Sequence, residues 1–345
     1  MAQVVTVADR WKVRVTPEPI GQGGFGKVYI GEDLNETPPS EVAAKKVAIP
    51  SRAEKEALQS ELAMQRKVHS HKNVATVIGD TQEGSIGWMI LELCNGGELF
   101  DRLIESKTLS EKAAYPYVKG LCEAIAHCHS EGIAHRDVKL ENVMLLADDP
   151  FAVRLIDFGL ALQLQTADGG IAPGQVCREF VGTQAYRAPE VSLSGYDPAK
   201  FDVWSTGIVL FSLCAGFFPL QEAHTTDWRF KKLVENTEKG LGACDALFQL
   251  YRRPCPFSPA LKELLDGMLQ VSPNKRLSIA EVLASEWIQT NPWPTDGEDD
   301  DDRPVYRSMG EEDEAGAMIE WADEMVPISR QRAKRGADDG MGMVA

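Results

Sequence analysis

A chain of 345 residues with 43% apolar content is long enough to bury a sizeable core, in one large two-lobed domain or in two ordinary ones. The formal net charge of −16 argues against a nucleic-acid partner, which requires a basic surface, and is compatible with basic peptides as partners. Seven cysteines without a C-x-x-C pair favour reduced thiols and a cytoplasmic or nuclear location, and the most apolar stretch, residues 207–220, is too short to span a membrane.

The first predicted element is a hairpin. Apolar residues roughly alternate between Trp11 and Ile30, which predicts two strands joined by a glycine-rich turn at residues 21–26. A G-x-G-x-x-G run alone is equally typical of a plain hairpin and of a dinucleotide-binding turn. Residues 26–29 continue as a strand rather than a helix, which disfavours the dinucleotide-binding alternative. Glycines in such a turn let backbone N–H groups approach phosphate oxygens closely.

A third strand is predicted at residues 42–45, followed by a helix. Neighbouring side chains on a strand face opposite ways, so only one of Lys45 and Lys46 can enter a cleft on a given side. Ser51, with a glutamate three residues later, is typical of a capping box at the helix start. Three glutamates on this helix compete as partners of the cleft lysine: Glu54, Glu56 and Glu61.

The chain then passes through a buried strand at residues 88–91 and a glycine-containing segment at 92–97. Ser110 is expected to cap a long helix. Its apolar residues recur at helical spacing: Val118, Leu121, Ile125 and Cys128. This helix delivers the chain to the polar stretch 135–142.

Polar residues in this stretch carry the chemistry. Asp137 is a carboxylate able to receive a hydroxyl proton, Lys139 is a cation for a transferring phosphate, and Asn142 and Asp157 are able to hold Mg²⁺. An isolated His-Arg-Asp run is usually turn chemistry. The order and spacing, however, resemble the catalytic and metal-binding loops of eukaryotic protein kinases.

This resemblance covers about residues 11–290 and implies an α+β, two-lobed protein kinase fold. A small antiparallel-sheet lobe with one long helix is expected at about 11–91, a hinge at 92–97, and a larger, mainly helical lobe at 98–290. The kinase domain as a whole is expected to occupy residues 1–290.

The resemblance also implies ATP and Mg²⁺ as cofactors. The implied ATP-binding positions are Ile20, Gly21, Gly23, Gly26, Val28, Ala43, Lys45, Glu61, Leu91, Glu92, Cys94 and Met144. Among the three glutamates, Glu61 is the implied partner of Lys45, because it stands ten residues before His71, the usual interval in kinases. Asn142 and Asp157 would hold Mg²⁺.

Three further positions are catalytic by the same resemblance: Asp137 as proton acceptor, Lys139 at the γ-phosphate, and Thr183 bracing the loop. Lys139 and Thr183 resemble the serine/threonine pattern rather than the tyrosine one. Residues 96–101 and 227–232 are similar to the calmodulin-kinase-like group, and with the polar Gln65 they are similar to checkpoint kinase one. A role in checkpoint or stress signalling is therefore expected.

Substrate and regulatory positions follow from charge. Glu98 matches a position that accepts an arginine three residues before the phosphorylated residue, although it could contact only ribose, and Glu141 adds negative potential nearby. Glu179 stands where many kinases carry a phosphothreonine that neutralises the arginine corresponding to Arg136. It could equally be a solvated loop charge. Protein substrates with basic residues before the phosphoacceptor are the expected partners, with neither nucleic acid nor membrane.

The remaining residues, 291–345, differ in composition. They contain 15 acidic and 6 basic side chains, as expected of a disordered acidic tail. Apolar residues at 318, 321, 322 and 325 predict a short amphipathic helix that docks on the domain or on a partner; a passive tail is the alternative. The rival to an active kinase is a pseudokinase scaffold, which usually lacks one of Lys45, Asp137 and Asp157.

Overall fold

The computed structural model describes residues 3–23, 26–164, 176–192 and 195–290, which form a lobe built on a sheet and a helical lobe. The strands are Gln3–Val7 (β1), Trp11–Val15 (β2), Gly21–Gly23 (β3), Gly26–Asp33 (β4), Ser40–Ala48 (β5), Val77–Glu83 (β6), Ile86–Glu92 (β7), Ile133–Ala134 (β8), Val143–Leu145 (β9), Val153–Leu155 (β10) and Leu162–Gln163 (β11). The helices are Arg52–Val68 (α1), Leu99–Ser106 (α2), Glu111–Ser130 (α3), Pro198–Ala215 (α4), Trp228–Glu238 (α5), Ala243–Leu250 (α6), Pro259–Met268 (α7), Ile279–Leu283 (α8) and Glu286–Thr290 (α9). The predicted α+β, two-lobed architecture is confirmed.

The small lobe is an antiparallel sheet with strand order β1-β2-β4-β5-β7-β6, and β3 pairs with β4. The break between β2 and β3 contains Pro17 and Pro19, which cannot donate to a strand ladder. Strand β1 lies ahead of the predicted start of the lobe near residue 11. It forms because a β-branched run pairs with β2 and buries Val7 completely.

Helix α1 packs across this sheet. The side chain of Ser51 accepts a hydrogen bond from the Ala53 N–H, which caps the helix at the predicted position. Leu58 and Leu62 pack in one apolar cluster with Met89 of β7. This contact fixes the rotation of α1 and therefore which of its glutamates faces the inner side of the sheet.

The large lobe is built around α4, which is buried on every side because its sequence is apolar on every face. The helix begins at Pro198, because Asp197 caps the Ala199 and Lys200 N–H groups. It ends at Gly216, which has a φ of +76°. Among the described residues, no helix combines the length and apolar content needed to cross a membrane.

Two polar contacts hold the C-terminal part of the large lobe against the rest of that lobe. Arg276 is completely enclosed and donates to both carboxylate oxygens of Glu190, at 2.5 and 2.8 Å. Near the end of the described chain, Trp287 donates from its indole nitrogen to Glu111 at 2.9 Å. These contacts join the C-terminal helices to α3 and to the segment that precedes α4.

Candidate active site

The pairing of β4, β5 and β7 decides which side chains face the interlobe cleft. Val28 lies opposite Lys45, and Lys45 lies opposite Met89. Directly opposed residues share a face of a sheet, as do residues two apart, so Ala43 and Leu91 join them. The predicted nucleotide-binding positions on these strands therefore form one surface.

Lys45 makes the central ion pair of this surface. Its ammonium lies 2.5 Å from Glu61 and 3.4 Å from Asp157. Burial by itself would lower the pKa of Lys45, but the carboxylates of Asp157 and Glu61 outweigh it and raise that pKa. Lys46 faces the other way and lies over the Trp88 ring, 5.5 Å from its centroid. The structure thus brings together the predicted lysine and glutamate, which are 16 residues apart in the chain.

The glycine turn approaches the next strand closely. Gly26 has a φ of +145°, and a Cβ at this position would lie 2.5 Å from the Lys46 carbonyl oxygen. A side chain is therefore excluded at this residue by both conformation and space. Gly21 and Gly23 pair with Val28 and Gly26, so β3 and β4 form a hairpin in which residues 21–23, predicted as part of the turn, belong to a strand.

The hinge follows β7. Arg154 donates to the Glu92 side chain at 2.8 Å, across the start of the hinge. Burial raises the pKa of the Cys94 thiol to about 12, so at neutral pH it is a protonated, unreactive group. Met144 forms an isolated β-bridge with Glu98, which brings this predicted ATP-binding residue to the hinge side of the cleft. Ile20, at the other rim, is 55% exposed.

The catalytic loop is held from below by Asp202. This carboxylate is fully buried and accepts hydrogen bonds from the backbone N–H of His135 at 2.9 Å and of Arg136 at 2.7 Å. It also lies 2.9 Å from the His129 ring nitrogen. Arg136 has a φ of +63°, an unusual conformation for a non-glycine residue, and these contacts over-determine it.

Asp137 is the centre of the hydrogen-bond network above this support. Its Oδ1 accepts from the Thr183 hydroxyl at 2.8 Å and from the Thr183 N–H at 3.1 Å. Lys139 Nζ lies 2.7 Å from Asp137 Oδ2 and donates to the Thr183 hydroxyl at 3.0 Å. The three predicted catalytic residues therefore form one connected cluster. Although burial disfavours the charged form, the Asp137 carboxylate raises the pKa of Lys139.

The predicted metal ligands suit Mg²⁺. Asn142 donates from Nδ2 to the Asp137 carbonyl at 2.9 Å and to its carboxylate at 3.1 Å, which makes the amide oxygen the atom available to a cation. Asp157 has a φ of +62°, and its pKa is lowered because Lys45 and the Gly159 N–H outweigh the effect of burial. Magnesium commonly uses one or two protein oxygens together with substrate phosphates. Asn142 and Asp157 supply that donor set.

Arg136 contacts the predicted regulatory residue. Its Nη1 lies 2.5 Å from Glu179 Oε2, while Nε donates to the Leu160 carbonyl at 2.7 Å. Arg136 is buried, whereas the Glu179 side chain is 62% exposed. Burial alone would lower the pKa of Arg136, but the hydrogen bond that Arg136 donates to Glu179 raises it. Between Asp157 and Glu190 the sequence has two threonines and no serine, Thr166 and Thr183, and Thr166 lies outside the described residues.

The two predicted substrate-binding glutamates differ in position. Glu98 precedes α2 and is partly exposed beside the hinge. Glu141, expected to add negative potential near Glu98, is 6% exposed and accepts a hydrogen bond from the Tyr186 hydroxyl at 3.0 Å. It therefore joins the catalytic loop to the later segment, a contact between residues 45 apart that local spacing did not indicate.

Comparisons with known proteins agree with this geometry. The family model described as protein kinase domain matches residues 15–288. Calcium-dependent protein kinase 6 of Arabidopsis thaliana is 34% identical over 281 residues, covering 79% of this chain and 47% of that protein. Calcium-dependent protein kinase 7 of Oryza sativa subsp. japonica is 35% identical over 294 residues, covering 84% and 50%.

A relative with a different name is similar to a comparable degree. CBL-interacting protein kinase 30 of Oryza sativa subsp. japonica is 34% identical over 275 residues, covering 78% of this chain and 53% of that protein. The chain thus spans about half the length of the curated relatives it matches. The predicted similarity to the calmodulin-kinase-like group is confirmed at the level of the group.

Proposed function

Because the chain belongs to the protein kinase family, we propose that it transfers the γ-phosphate of ATP to serine and threonine hydroxyls of protein substrates. The predicted enzyme class, a protein serine/threonine kinase, is confirmed by the family match and the relatives. Calcium dependence belongs to the names of those relatives and is not part of this proposal.

One observation carries the proposal: Lys45 lies near Glu61 and Asp157 at the same time, at 2.5 and 3.4 Å. This arrangement joins the small-lobe sheet, α1 and the metal-binding loop of the large lobe. In kinases both the lysine–glutamate pair and the metal-binding aspartate must be in place for phosphoryl transfer. Asp137, Lys139 and Thr183 then supply the remaining positioning groups at the acceptor hydroxyl.

We propose further that the substrates carry arginine before the phosphoacceptor. Glu98, Asp101 and Glu105 lie at helical spacing beside the hinge and line an open groove of about 440 Å³. Arg102 lines it too, so the groove is acidic but not uniformly so. A carboxylate and a guanidinium can form two parallel charge-assisted hydrogen bonds, which makes Glu98 a specific acceptor.

The test is phosphorylation of a positional peptide library by purified wild-type protein with ATP and Mg²⁺. We expect transfer to serine and threonine, with D137N and D157N each lowering the rate by about 10² or more, because one removes the proton acceptor and the other a charge at the metal. Near-normal turnover in either variant would refute its assigned role. No transfer by wild type would favour the scaffold alternative.

The proposal has three finer parts, which concern the kinase subfamily, the cellular pathway with its location, and the tail. Gln65 is buried and donates to the Ala75 carbonyl at 2.9 Å, and this polar residue supports our proposed similarity to checkpoint kinase one. On that basis we place the chain in checkpoint or stress signalling, in the cytoplasm or nucleus. The proposed docking of the tail helix, near residues 318–325, concerns residues outside the described ones.

A further inference from the structure

Arg187 is a residue to which the sequence analysis gave no role. It follows the short 3₁₀ helix Gln184–Tyr186, and its side chain folds back over the preceding loop. Its Nε donates to the Val181 carbonyl at 3.1 Å, and its Nη2 donates to the Gly182 carbonyl at 2.5 Å. The guanidinium carbon lies 4.0 Å from the centroid of the Phe180 ring, which stacks on it.

The second of these carbonyls belongs to a peptide unit that matters for catalysis. The Gly182 C=O and the Thr183 N–H are two ends of one planar amide. That N–H donates to Asp137 Oδ1 at 3.1 Å. Arg187 and Asp137 are therefore joined through a single peptide group, with the cation on its oxygen and the carboxylate on its nitrogen. A charge on the carbonyl polarises the amide and strengthens the N–H as a donor.

This peptide needs an external restraint. Gly182 has a φ of +88°, and a Cβ there would lie 2.7 Å from Phe201 and 2.8 Å from the Arg136 carbonyl oxygen. The residue must be glycine, and glycine is also the residue with the least intrinsic preference for one backbone conformation. A rotation of the 182–183 peptide would turn its N–H away from Asp137. The guanidinium on the carbonyl opposes that rotation.

We propose that Arg187 is a positioning residue for phosphoryl transfer, acting on Asp137 through the Gly182–Thr183 peptide. The inference rests on the proposed function. Arg187 is half-buried, and burial lowers its pKa while Glu222 and Asp137 raise it; arginine nevertheless remains charged at neutral pH. Its bidentate hold on two successive carbonyls is a geometry that a lysine cannot reproduce.

A simpler role competes with this one. Arg187 also lines an open groove of about 420 Å³ together with Phe180, Gln184 and Glu222. Gln184 donates to Glu222 at 2.9 Å across this groove. If the arginine only shaped a surface for the peptide substrate, its loss would change the KM for peptide. A positioning role predicts instead a change in kcat, because the proton acceptor is affected and the binding surface is not.

The experiment compares R187A and R187K with wild type, with R178A as a control because Arg178 is an exposed arginine of the same loop. For R187A we expect kcat to fall about tenfold, as for loss of one charged hydrogen bond, with KM for ATP and for peptide within twofold of wild type. R187K, which can reach only one carbonyl, should be intermediate. R178A should keep the wild-type kcat.

A double variant shows whether the effect passes through Asp137. In a D137N background, assayed at high enzyme concentration, adding R187A should lower the residual rate by less than twofold, because coupled sites are not additive. A change confined to peptide KM, an equal loss in R178A, or additive effects in the double variant would overturn the inference. If melting shows that R187A is unfolded, R187K decides, and a wild-type kcat there overturns it.

These outcomes are separate from the test of the proposed function itself. Absence of transfer by the wild-type protein removes the proposed function and this inference with it. An active wild type with unaffected Arg187 variants removes only the inference.

Discussion

Removing the carboxylate of Glu179 tests whether this residue replaces a regulatory phosphate. In the structure Arg136 is held by Glu179 at 2.5 Å, by the Leu160 carbonyl at 2.7 Å, and by the Tyr196 hydroxyl at 3.5 Å. E179A removes one of these acceptors and the only one among them that carries a formal negative charge. In E179A the positive charge of Arg136, whose side chain is 6% exposed, is then compensated by the neutral dipoles among these acceptors.

The magnitude follows from the exposure of the two partners. A fully exposed ion pair contributes about 0–1 kcal/mol, and a charged hydrogen bond to a buried group about 1.5–3 kcal/mol. Because Glu179 is 62% exposed, we expect E179A to lose about 1 kcal/mol of loop stabilisation, the upper end of the range for an exposed ion pair. This corresponds to about a fivefold shift in the equilibrium between ordered and released loop.

The assay combines kcat on a peptide substrate with limited proteolysis of the loop, on protein shown by mass spectrometry to be unphosphorylated. We expect wild type to be active, E179A to lose up to about fivefold in kcat, and E179D to retain part of it. E238A, which removes an exposed carboxylate from α5, is the control. Wild-type kcat in E179A, or an enzyme silent until Thr166 is phosphorylated, would refute the reasoning.

Further predictions concern the nucleotide turn, the substrate and the tail. G26A should lower the free energy of unfolding by about 1–3 kcal/mol in a denaturant titration, because its Cβ would meet the Lys46 carbonyl at 2.5 Å; G23A, whose Cβ meets nothing within 4 Å, is the matched control. E98A should lose the preference for arginine three residues before the phosphoacceptor in a peptide library, and a retained preference contradicts the assignment. Deleting residues 296–345 should raise activity or shift the melting temperature if the tail docks, and two unchanged values would indicate a passive tail.

Predictions from local spacing were the most successful, because the geometry of a short motif is decided by residues that are close together in the chain. The distance of two residues from Asp137 to Lys139 places both side chains on one turn of the catalytic loop. Side chains alternate between the two faces of a strand, so Lys45 and Lys46 face opposite sides independently of the rest of the fold. The capping of α1 by Ser51 is likewise decided within one helical turn. These features needed no knowledge of distant parts of the chain.

Predictions that depended on distant partners were incomplete. Strand β1 exists because β2 pairs with it, and its own five residues carry too weak a signal. Glu141 was expected only to add negative potential near the substrate, and the hydrogen bond that the Tyr186 hydroxyl donates to its carboxylate was not predicted. Nothing in the spacing of either residue indicates the other, since the contact depends on how the loop after residue 176 returns to the catalytic loop.

The sequence by itself determined the fold class, the order of the lobes, and the identity of the catalytic, ATP-binding and metal-binding candidates, because those positions are marked by residue type and short intervals. Only the tertiary structure decided how the supporting contacts converge: Asp202 beneath Arg136, and Arg187 on the peptide that contacts Asp137. The contacts of Asp202 with Arg136 and of Thr183 with Asp137 join segments tens of residues apart, and they arise where packed helices and loops meet. The physical reason is that a hydrogen bond across the fold depends on the position of both backbones, which no local pattern encodes.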